Sequence, residues 1–265
     1  MKRVLFFLPA LVWLATSCAS TSGKVAGVQD ITGGIGIVVD ASTVHNNTVS
    51  RNEFSIIENR AIAARVAKVA ADALERKGYA PAGVVVTTAG GRLNAKAQYS
   101  VTDAEGKELK APEEVQPPFV IEPPVADAAR PHIAPLFSSL RAKLGSMGEP
   151  GDKELPSIDQ SYLDAAPDGG AVLAIVCEGH VPSGGARAAA VSTALLSIVA
   201  ATSGGSGKIE GEVRTQSNAE IYIIDRRSGV TLWHDSVEEH DLSPAFFADA
   251  VGKTLEKLPQ AGSAK

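Results

Sequence analysis

The side chains best suited to covalent or metal chemistry in this sequence are two cysteines and five histidines. Cys177 and His180 could act as a nucleophile and its base, because a thiol becomes strongly nucleophilic once a neighbouring base removes its proton. Cys177 ends an apolar run of strand length, and His180 follows three residues later. Residues three apart on a strand point to opposite faces. The sequence therefore predicts that Cys177 is a buried core residue and that this pair forms no catalytic centre.

The cysteines and histidines also lack the spacing of a metal site. Zinc sites commonly draw two ligands from a short motif of paired cysteines or paired histidines, and no such pair occurs in the chain. The histidines are scattered: His45, His132, His180, His234 and His240. We therefore expect no metal ion and no catalytic residue in this protein.

Glycine-containing segments offer no better match to a cofactor site. Gly34-Ile35-Gly36 precedes an apolar run, whereas a dinucleotide-binding loop follows a strand. Gly207-Lys208 lacks both the earlier glycine and the following hydroxyl residue of a nucleotide-binding loop. The sequence thus predicts no bound cofactor.

A titratable cluster lies close to the end of the last predicted strand. Glu238, Glu239 and Asp241 stand beside His234 and His240 in the sequence. Charged residues at strand ends are usually solvated, so we interpret these side chains as exposed to water and without a chemical role.

The first 18 residues have the parts of a bacterial export signal. Lys2 and Arg3 precede an apolar run from Val4 to Leu14, and small residues follow that run. About 20 apolar residues are needed to cross a bilayer, so this run is too short to span one. Cys18, which comes directly after the small residues, resembles the lipidated cysteine of bacterial lipoproteins.

The resemblance implies that residues 1–17 are a lipoprotein signal peptide and that Cys18 is the lipidation site. In such proteins the sulfur and the new amino terminus carry acyl chains such as palmitate, and several chains together hold a protein stably at a membrane. Ala19 after the anchor favours the outer membrane, with the protein facing the periplasm. Inner-membrane anchoring, surface exposure and an ordinary cleaved signal with a coincidental cysteine are the alternatives.

The charge balance disfavours a nucleic-acid partner. Without the signal, 23 basic residues face 30 acidic ones, a formal net charge of −7. Binding along a phosphate backbone requires a basic patch, and the longest basic runs beyond the signal are pairs such as Arg226-Arg227. Neutral ligands, glycans and envelope proteins remain compatible with this surface.

Hydrophobic periodicity predicts a strand and a long helix early in the chain. The β-branched run from Ile35 to Asp40 is typical of a strand that is buried on both faces. Ser50 and Glu53 have capping-box spacing, and a helical stripe then continues until Gly78 ends it. We therefore expect a helix from about Glu53 to Lys77.

The sequence after this helix predicts two hairpins, one further strand and one further helix. Residues 84–87 and the alternating segment 92–101 flank Gly90-Gly91, which predicts a hairpin. Residues 219–225 and 230–234 flank a turn with a glycine and predict a second hairpin. A strand is expected over 171–177, and a last helix starting at Ser243-Pro244, where serine caps and proline occupies the first turn.

The compositional boundaries predict one α/β domain at residues 33–260, with a tether at 18–32 and a tail at 261–265. Two irregular insertions interrupt it. The first, 111–135, is so rich in proline that no regular element is expected before a short helix through Leu136, Leu140 and Leu144. It could be a surface loop or a ligand for a partner's aromatic groove.

The second insertion, 184–207, is a run of small and aliphatic residues between glycine pairs. It is too short to span a membrane. A buried helix is one interpretation, and a segment that contacts lipid or a neighbouring subunit is the other.

Two segments carry a resemblance to a known group of proteins. In bacterial envelope lipoproteins related to the amino-terminal domain of TolB, a strand ending in aspartate, a turn with glycine and a strand ending in tryptophan recur. This chain is similar at Asp225, Gly229 and Trp233, and ALERKGYAP at 73–81 resembles their helix that ends at a glycine and an aromatic. The group includes the curli-secretion channel lipoprotein and the lipoprotein activators of penicillin-binding proteins, and the resemblance covers about half of the mature chain.

The expected fold class is α/β of the α+β type. A mixed, largely antiparallel sheet would be packed by the long amino-terminal helix and the carboxyl-terminal helix, with the two insertions outside the regular elements.

Three function classes remain. The first is a membrane-anchored, non-enzymatic adaptor or accessory subunit in envelope assembly or transport, with an envelope protein or the peptidoglycan machinery as its partner. The second is an oligomeric subunit like the curli-secretion channel, which requires long alternating strands, and only Arg92 to Val101 approaches that pattern. The third is an envelope hydrolase. The sequence favours the adaptor, with a homo-oligomer left open.

Overall fold

The computed structural model describes residues 27–46, 52–93, 99–103, 105, 107–109, 117–124, 129–144, 157–182, 216–239 and 244–262. The predicted signal peptide at 1–17, Cys18 and the insertion at 184–207 lie outside these residues. Across the described ranges, no helix combines the length and the apolar character needed to cross a membrane.

Eight strands form one mixed sheet. The order along its main path is β4-β2-β1-β6-β7-β8, and β3 and β5 extend it beside β1. The strands are β1 (Ile35–Asn46), β2 (Asn52–Ser55), β3 (Pro81–Ala89), β4 (Tyr99–Thr102), β5 (Val120–Glu122), β6 (Ala171–Pro182), β7 (Gln216–Asp225) and β8 (Thr231–Glu239).

Helices cover both faces of this sheet. The helices are α1 (Ile56–Arg76), α2 (Arg130–Leu144), α3 (Gln160–Leu163) and α4 (Pro244–Leu255). One apolar core joins α1 and α4 to the sheet, and a second core lies on the opposite face beneath α2 and α3. The expected α+β class with a mixed sheet is confirmed. Four of the seven pairings between described strands are antiparallel and three are parallel.

Alternation along the central strands divides the two cores. Ile37 and Val39 of β1 belong to the core under α1 and α4, whereas Val38 belongs to the core under α2. Trp233, which is 1% exposed, joins the first core and pairs with Ile223. The predicted strand at 35–40 is therefore confirmed as buried on both faces, and Trp233 is a core anchor.

The long helix begins later than predicted. Residues 52–55 form β2, and Ser55 caps α1 because its hydroxyl accepts a hydrogen bond from the amide of Glu58 at 3.3 Å. The prediction of a start at Glu53 is wrong, since Phe54 is buried in a sheet-edge cluster and Glu53 pairs with His45 of β1. The predicted cap Ser50 lies outside the described residues.

The predicted hairpin across Gly90-Gly91 is wrong. β3 pairs in parallel with β1, and β4 pairs in parallel with β2. Period-two alternation predicts a half-buried strand but not the strand with which it pairs. Here β4 pairs with the short strand β2 and not with β3. The second predicted hairpin is confirmed, because β7 and β8 pair antiparallel.

The proline-rich segment is more regular than predicted. Val120–Glu122 forms β5 against β3, and α2 begins at Arg130 and contains Pro135. The prolines next to β5 lie outside its ladder, and Pro131 lies in the first turn of α2, where no amide donor is needed. Pro135 lies inside the helix, which therefore lacks one backbone hydrogen bond at that position. The expectation that no regular element survives over 111–135 is therefore wrong at its described parts, while the helix through Leu136 and Leu140 is confirmed.

Candidate functional site

Polar side chains replace the apolar core on the α2 face, toward the carboxyl ends of the parallel strands. Val38 on β1 is followed on the same face by Asp40, and Val176 on β6 is followed by Glu178. Ligands of open α/β sheets commonly bind at this end of the strands. We call this group the polar layer; its members are Asp40, Ser42, Thr88, Arg92, Glu178, Glu220, Tyr222 and His234.

Asp40 is fully buried and accepts four hydrogen bonds at distances of 2.6–3.1 Å. Its Oδ1 accepts hydrogen bonds from the hydroxyl of Thr88 at 2.6 Å and from the amide of Gly91 at 2.7 Å. Its Oδ2 accepts hydrogen bonds from the hydroxyl of Ser42 at 2.7 Å and from the amide of Arg92 at 3.1 Å. Burial raises the pKa of Asp40, and these four bonds act against that rise. The carboxylate therefore fastens the turn after β3 to the middle of the sheet.

Gly91 can occupy this turn because it has no side chain. A Cβ atom there would lie 2.8 Å from Oδ1 of Asp40 and 2.9 Å from the ring of Phe137 on α2. The glycine thus lets the backbone approach the carboxylate closely enough for its amide to donate.

The guanidinium of Arg92 is buried between strands. Its side chain is 4% exposed, and Nε lies 3.0 Å from Oε1 of Glu178 on β6. Within the described residues, neither Nε nor Nη1 has a hydrogen-bond partner. The Arg92 charge also acts on Glu220 and Tyr222 of β7. Arg92 therefore links the turn after β3 to the opposite half of the sheet mainly through charge.

Glu220 and His234 form the second ion pair of the layer. His234 Nε2 lies 2.9 Å from Oε2 of Glu220, and Asn218 donates to Oε1 at 3.0 Å. The His234 ring stacks on Tyr222 with centroids 4.6 Å apart. Burial alone would raise the pKa of Glu220, but the hydrogen bonds of His234 and Asn218, with the nearby positive charges, lower it below its usual value.

Cys177 and His180 do not come together. Cys177 is fully buried in the core under α1 and α4, whereas His180 is exposed near the end of β6. Burial, aided by the charge of Asp40, raises the pKa of the Cys177 thiol, which disfavours the reactive thiolate. The prediction that Cys177 is a core residue is confirmed.

The remaining histidines are also dispersed. His45 Nε2 lies 2.7 Å from Oε2 of Glu58, and His132 lies near the ring of Tyr162. No three potential metal ligands converge anywhere in the part of the chain that the structure describes.

Glu238, interpreted from the sequence as a solvated residue at a strand end, is exposed on β8. His234 pairs with Glu220, and Glu238 accepts a hydrogen bond from Gln216 at 2.8 Å. His240 and Asp241 lie outside the described residues.

Sequence reasoning overlooked most of the polar layer, whose residues come from five strands and one turn. Asp40 did carry a signal, since a charged residue within a buried apolar strand requires local partners. Gly90-Gly91 before Arg92 was a second signal, because paired glycines allow close backbone approach. Neither pattern indicates which residues meet, since that depends on the register of distant strands.

The geometry suits a structural network better than a reactive centre. Asp40 is saturated by donors and Glu220 is held by His234 and Asn218, so neither carboxylate is positioned to exchange a proton with a substrate. The serine of the layer, Ser42, is 3% exposed and donates to Asp40. The layer fixes the turns at this end of the sheet relative to one another.

Comparisons with known protein families, with curated proteins and with solved structures found no match to this chain.

Proposed function

We propose that this chain is a lipid-anchored envelope protein that acts as a non-enzymatic adaptor or accessory subunit. In this proposal Cys18 carries the anchor in the outer membrane, and the α+β domain faces the periplasm. Its partner is an envelope protein or a component of the peptidoglycan machinery, the settings that the TolB-like lipoprotein resemblance suggests.

The observation that carries the non-enzymatic part is the internal pairing of the polar layer. Asp40 receives four hydrogen bonds from Ser42, Thr88, Gly91 and Arg92. Catalysis generally requires a nucleophile or an acid–base group with access to substrate, whereas the Asp40 carboxylate and the Ser42 hydroxyl are buried and hydrogen-bonded to each other.

Crosslinking in intact cells tests this proposal. A tagged full-length chain expressed at its native level would be crosslinked with formaldehyde, and envelopes would be solubilised before affinity capture. We expect one or a few envelope proteins to be recovered reproducibly with the wild type. Cys18→Ala, which removes the acylated sulfur, should reduce their recovery because the chain is no longer held beside its partner. Repeated capture without a reproducible partner would contradict the adaptor function.

A further inference from the structure

One edge of the sheet ends abruptly beside β3. β1 occupies one side of β3, but β5 covers the other side only from Thr87 to Ala89. Within the described ranges, the outer edge of residues 81–86 therefore faces no strand. Unpaired strand edges present backbone donors and acceptors that can pair with another chain.

The uncovered part of β3 also contains an irregularity. Between the pairs Ile35↔Pro81 and Ile37↔Val85, β1 advances two residues while β3 advances four. Gly83 lies in this bulge with φ +41°, and a Cβ atom there would have no atom within 4 Å. Bulges bend a strand and often redirect its edge toward a binding site. Here the bulged backbone lies next to open space.

That open space is a groove of about 590 Å³. Ala82, Gly83 and Val86 of β3 form one wall, and Pro123 with Pro124, which follow β5, form another. The turn after α3, residues 164–168, forms the opposite side. Its volume lies in the range of small-molecule and side-chain pockets. The alanine, valine and proline lining suits an apolar side chain, because burial of apolar surface is favourable.

The rim of the groove is acidic. Asp164 and Asp168 are exposed on the turn after α3. Asp168 Oδ1 lies 3.9 Å from Nη2 of Arg226, which is a long ion-pair distance. The Arg226 guanidinium donates its hydrogen bonds to carbonyl oxygens of this same turn, including that of Pro167 at 2.5 Å. Arg226 therefore holds the turn in place and leaves both carboxylates able to meet a positive charge from outside.

We propose that this groove binds an extended peptide segment of a partner protein by strand addition to β3. The segment pairs its backbone with the free edge at residues 81–86 and places an apolar side chain in the groove. A lysine or arginine two residues away lies on the same face of the segment and meets Asp164 and Asp168. In strand addition the backbone supplies affinity and the alternate side chains supply specificity. This inference rests on the proposed adaptor function and names the chemistry of its partner.

Fluorescence anisotropy tests the groove directly. The full chain in detergent would be titrated into a labelled hexapeptide of alternating threonine and leucine in which arginine replaces the last leucine, two residues from the leucine before it and therefore on the same face. Two control peptides carry glutamate in place of arginine, or methyl groups on alternate backbone nitrogens. We expect both controls to bind at least about tenfold more weakly, because one reverses the charge and the other removes backbone donors.

Matched charge variants locate the binding site. Asp164→Lys with Asp168→Lys should weaken binding of the arginine peptide at least about tenfold. Asp72→Lys with Glu75→Lys makes the same charge change on the exposed side of α1. It should leave binding within about twofold, because α1 covers the opposite face of the sheet from the groove and exposed charges are screened.

Several outcomes would overturn the groove proposal: no binding up to about 1 mM peptide, equal binding of the methylated peptide, or equal weakening by both charge variants. The crosslinking experiment separates this failure from failure of the adaptor function. If the Asp164→Lys/Asp168→Lys chain still captures the wild-type partner, the groove is not the docking surface but the adaptor function stands. If the wild type captures none, the adaptor function itself fails.

Discussion

At the scale of single residues, the fold depends on charges that are buried with their partners. Asp40 and Glu220 are both shielded from water, yet the pKa of the first is raised and that of the second is lowered. Burial acts in the same direction on both. The difference arises because Glu220 has a histidine partner and a nearby arginine charge, whereas Asp40 is held by neutral donors.

Asp40→Asn should destabilise the domain by about 1–3 kcal/mol. Whichever way the new amide turns, its NH₂ group faces the backbone amide of either Gly91 or Arg92, so one buried donor loses its acceptor. Urea unfolding followed by circular dichroism would measure the loss. Asp72→Asn on the exposed side of α1 is the control and should change stability by less than about 0.5 kcal/mol. Equal effects of the two changes would contradict the role assigned to Asp40.

The Glu220–His234 pair predicts a specific pH dependence. A carboxyl whose folded pKa is lowered contributes stability that is present above its unfolded pKa, about 4.3 for glutamate, and that is lost as the pH falls through the folded value. The stability difference between wild type and Glu220→Gln should therefore shrink between pH 7 and pH 3.

Asp40 contributes with the opposite sign, since a raised pKa favours the folded state as the pH falls. It is present in both proteins, so the comparison of wild type with Glu220→Gln removes its contribution. Urea unfolding at each pH supplies the measurement. A difference that stays constant across this range would show that the pair does not stabilise the fold through the glutamate charge.

At the scale of elements, the turn between β7 and β8 illustrates what a local pattern can predict. Gly229 has φ +70°, as the predicted hairpin turn requires. The structure adds a constraint that the sequence does not contain: a Cβ atom at this position would lie 2.0 Å from the carbonyl oxygen of Ile158. The amide of Ile158 in turn donates to the carbonyl of Gly229 at 2.7 Å.

Gly229→Ala should therefore cost about 3 kcal/mol or more, since both backbone strain and a steric clash oppose it. Gly262→Ala is the matched control, because Gly262 has φ +68° with no atom within 4 Å of the added Cβ. Strain alone should cost about 1 kcal/mol there. Thermal or urea unfolding would compare the two, and similar losses would mean that the contact with Ile158 is unimportant.

The elements that sequence reasoning predicted correctly are those with long or local signals. β1, β6, the β7–β8 hairpin and the last helix each carry their pattern within one continuous segment. β4 and β5 are three or four residues long and acquire their identity from distant partners, β2 and β3. The start of α1 was missed for the same reason, because residues 52–55 pair with β1 and β4 instead of extending the helix.

At the scale of the whole molecule, the helices cover the two faces of the sheet to different extents. α1 and α4 cover one face with a continuous apolar core, while α2 covers the other face only beside the polar layer and the groove along β3. The sequence predicted the α+β class because periodicity of both kinds is present. It could not predict the polar layer or the groove, since both arise where segments far apart in the chain meet.

The central claim is that this domain works while anchored to an envelope membrane through Cys18. Intact mass spectrometry of the protein purified from native envelopes tests this most directly. We expect a chain that begins at Cys18 and carries the added mass of several acyl chains, and a Cys18→Ala protein that is found without them and outside the membrane fraction. A native chain that retains residues 1–17, or that is cut elsewhere and carries no lipid, would contradict anchoring through Cys18.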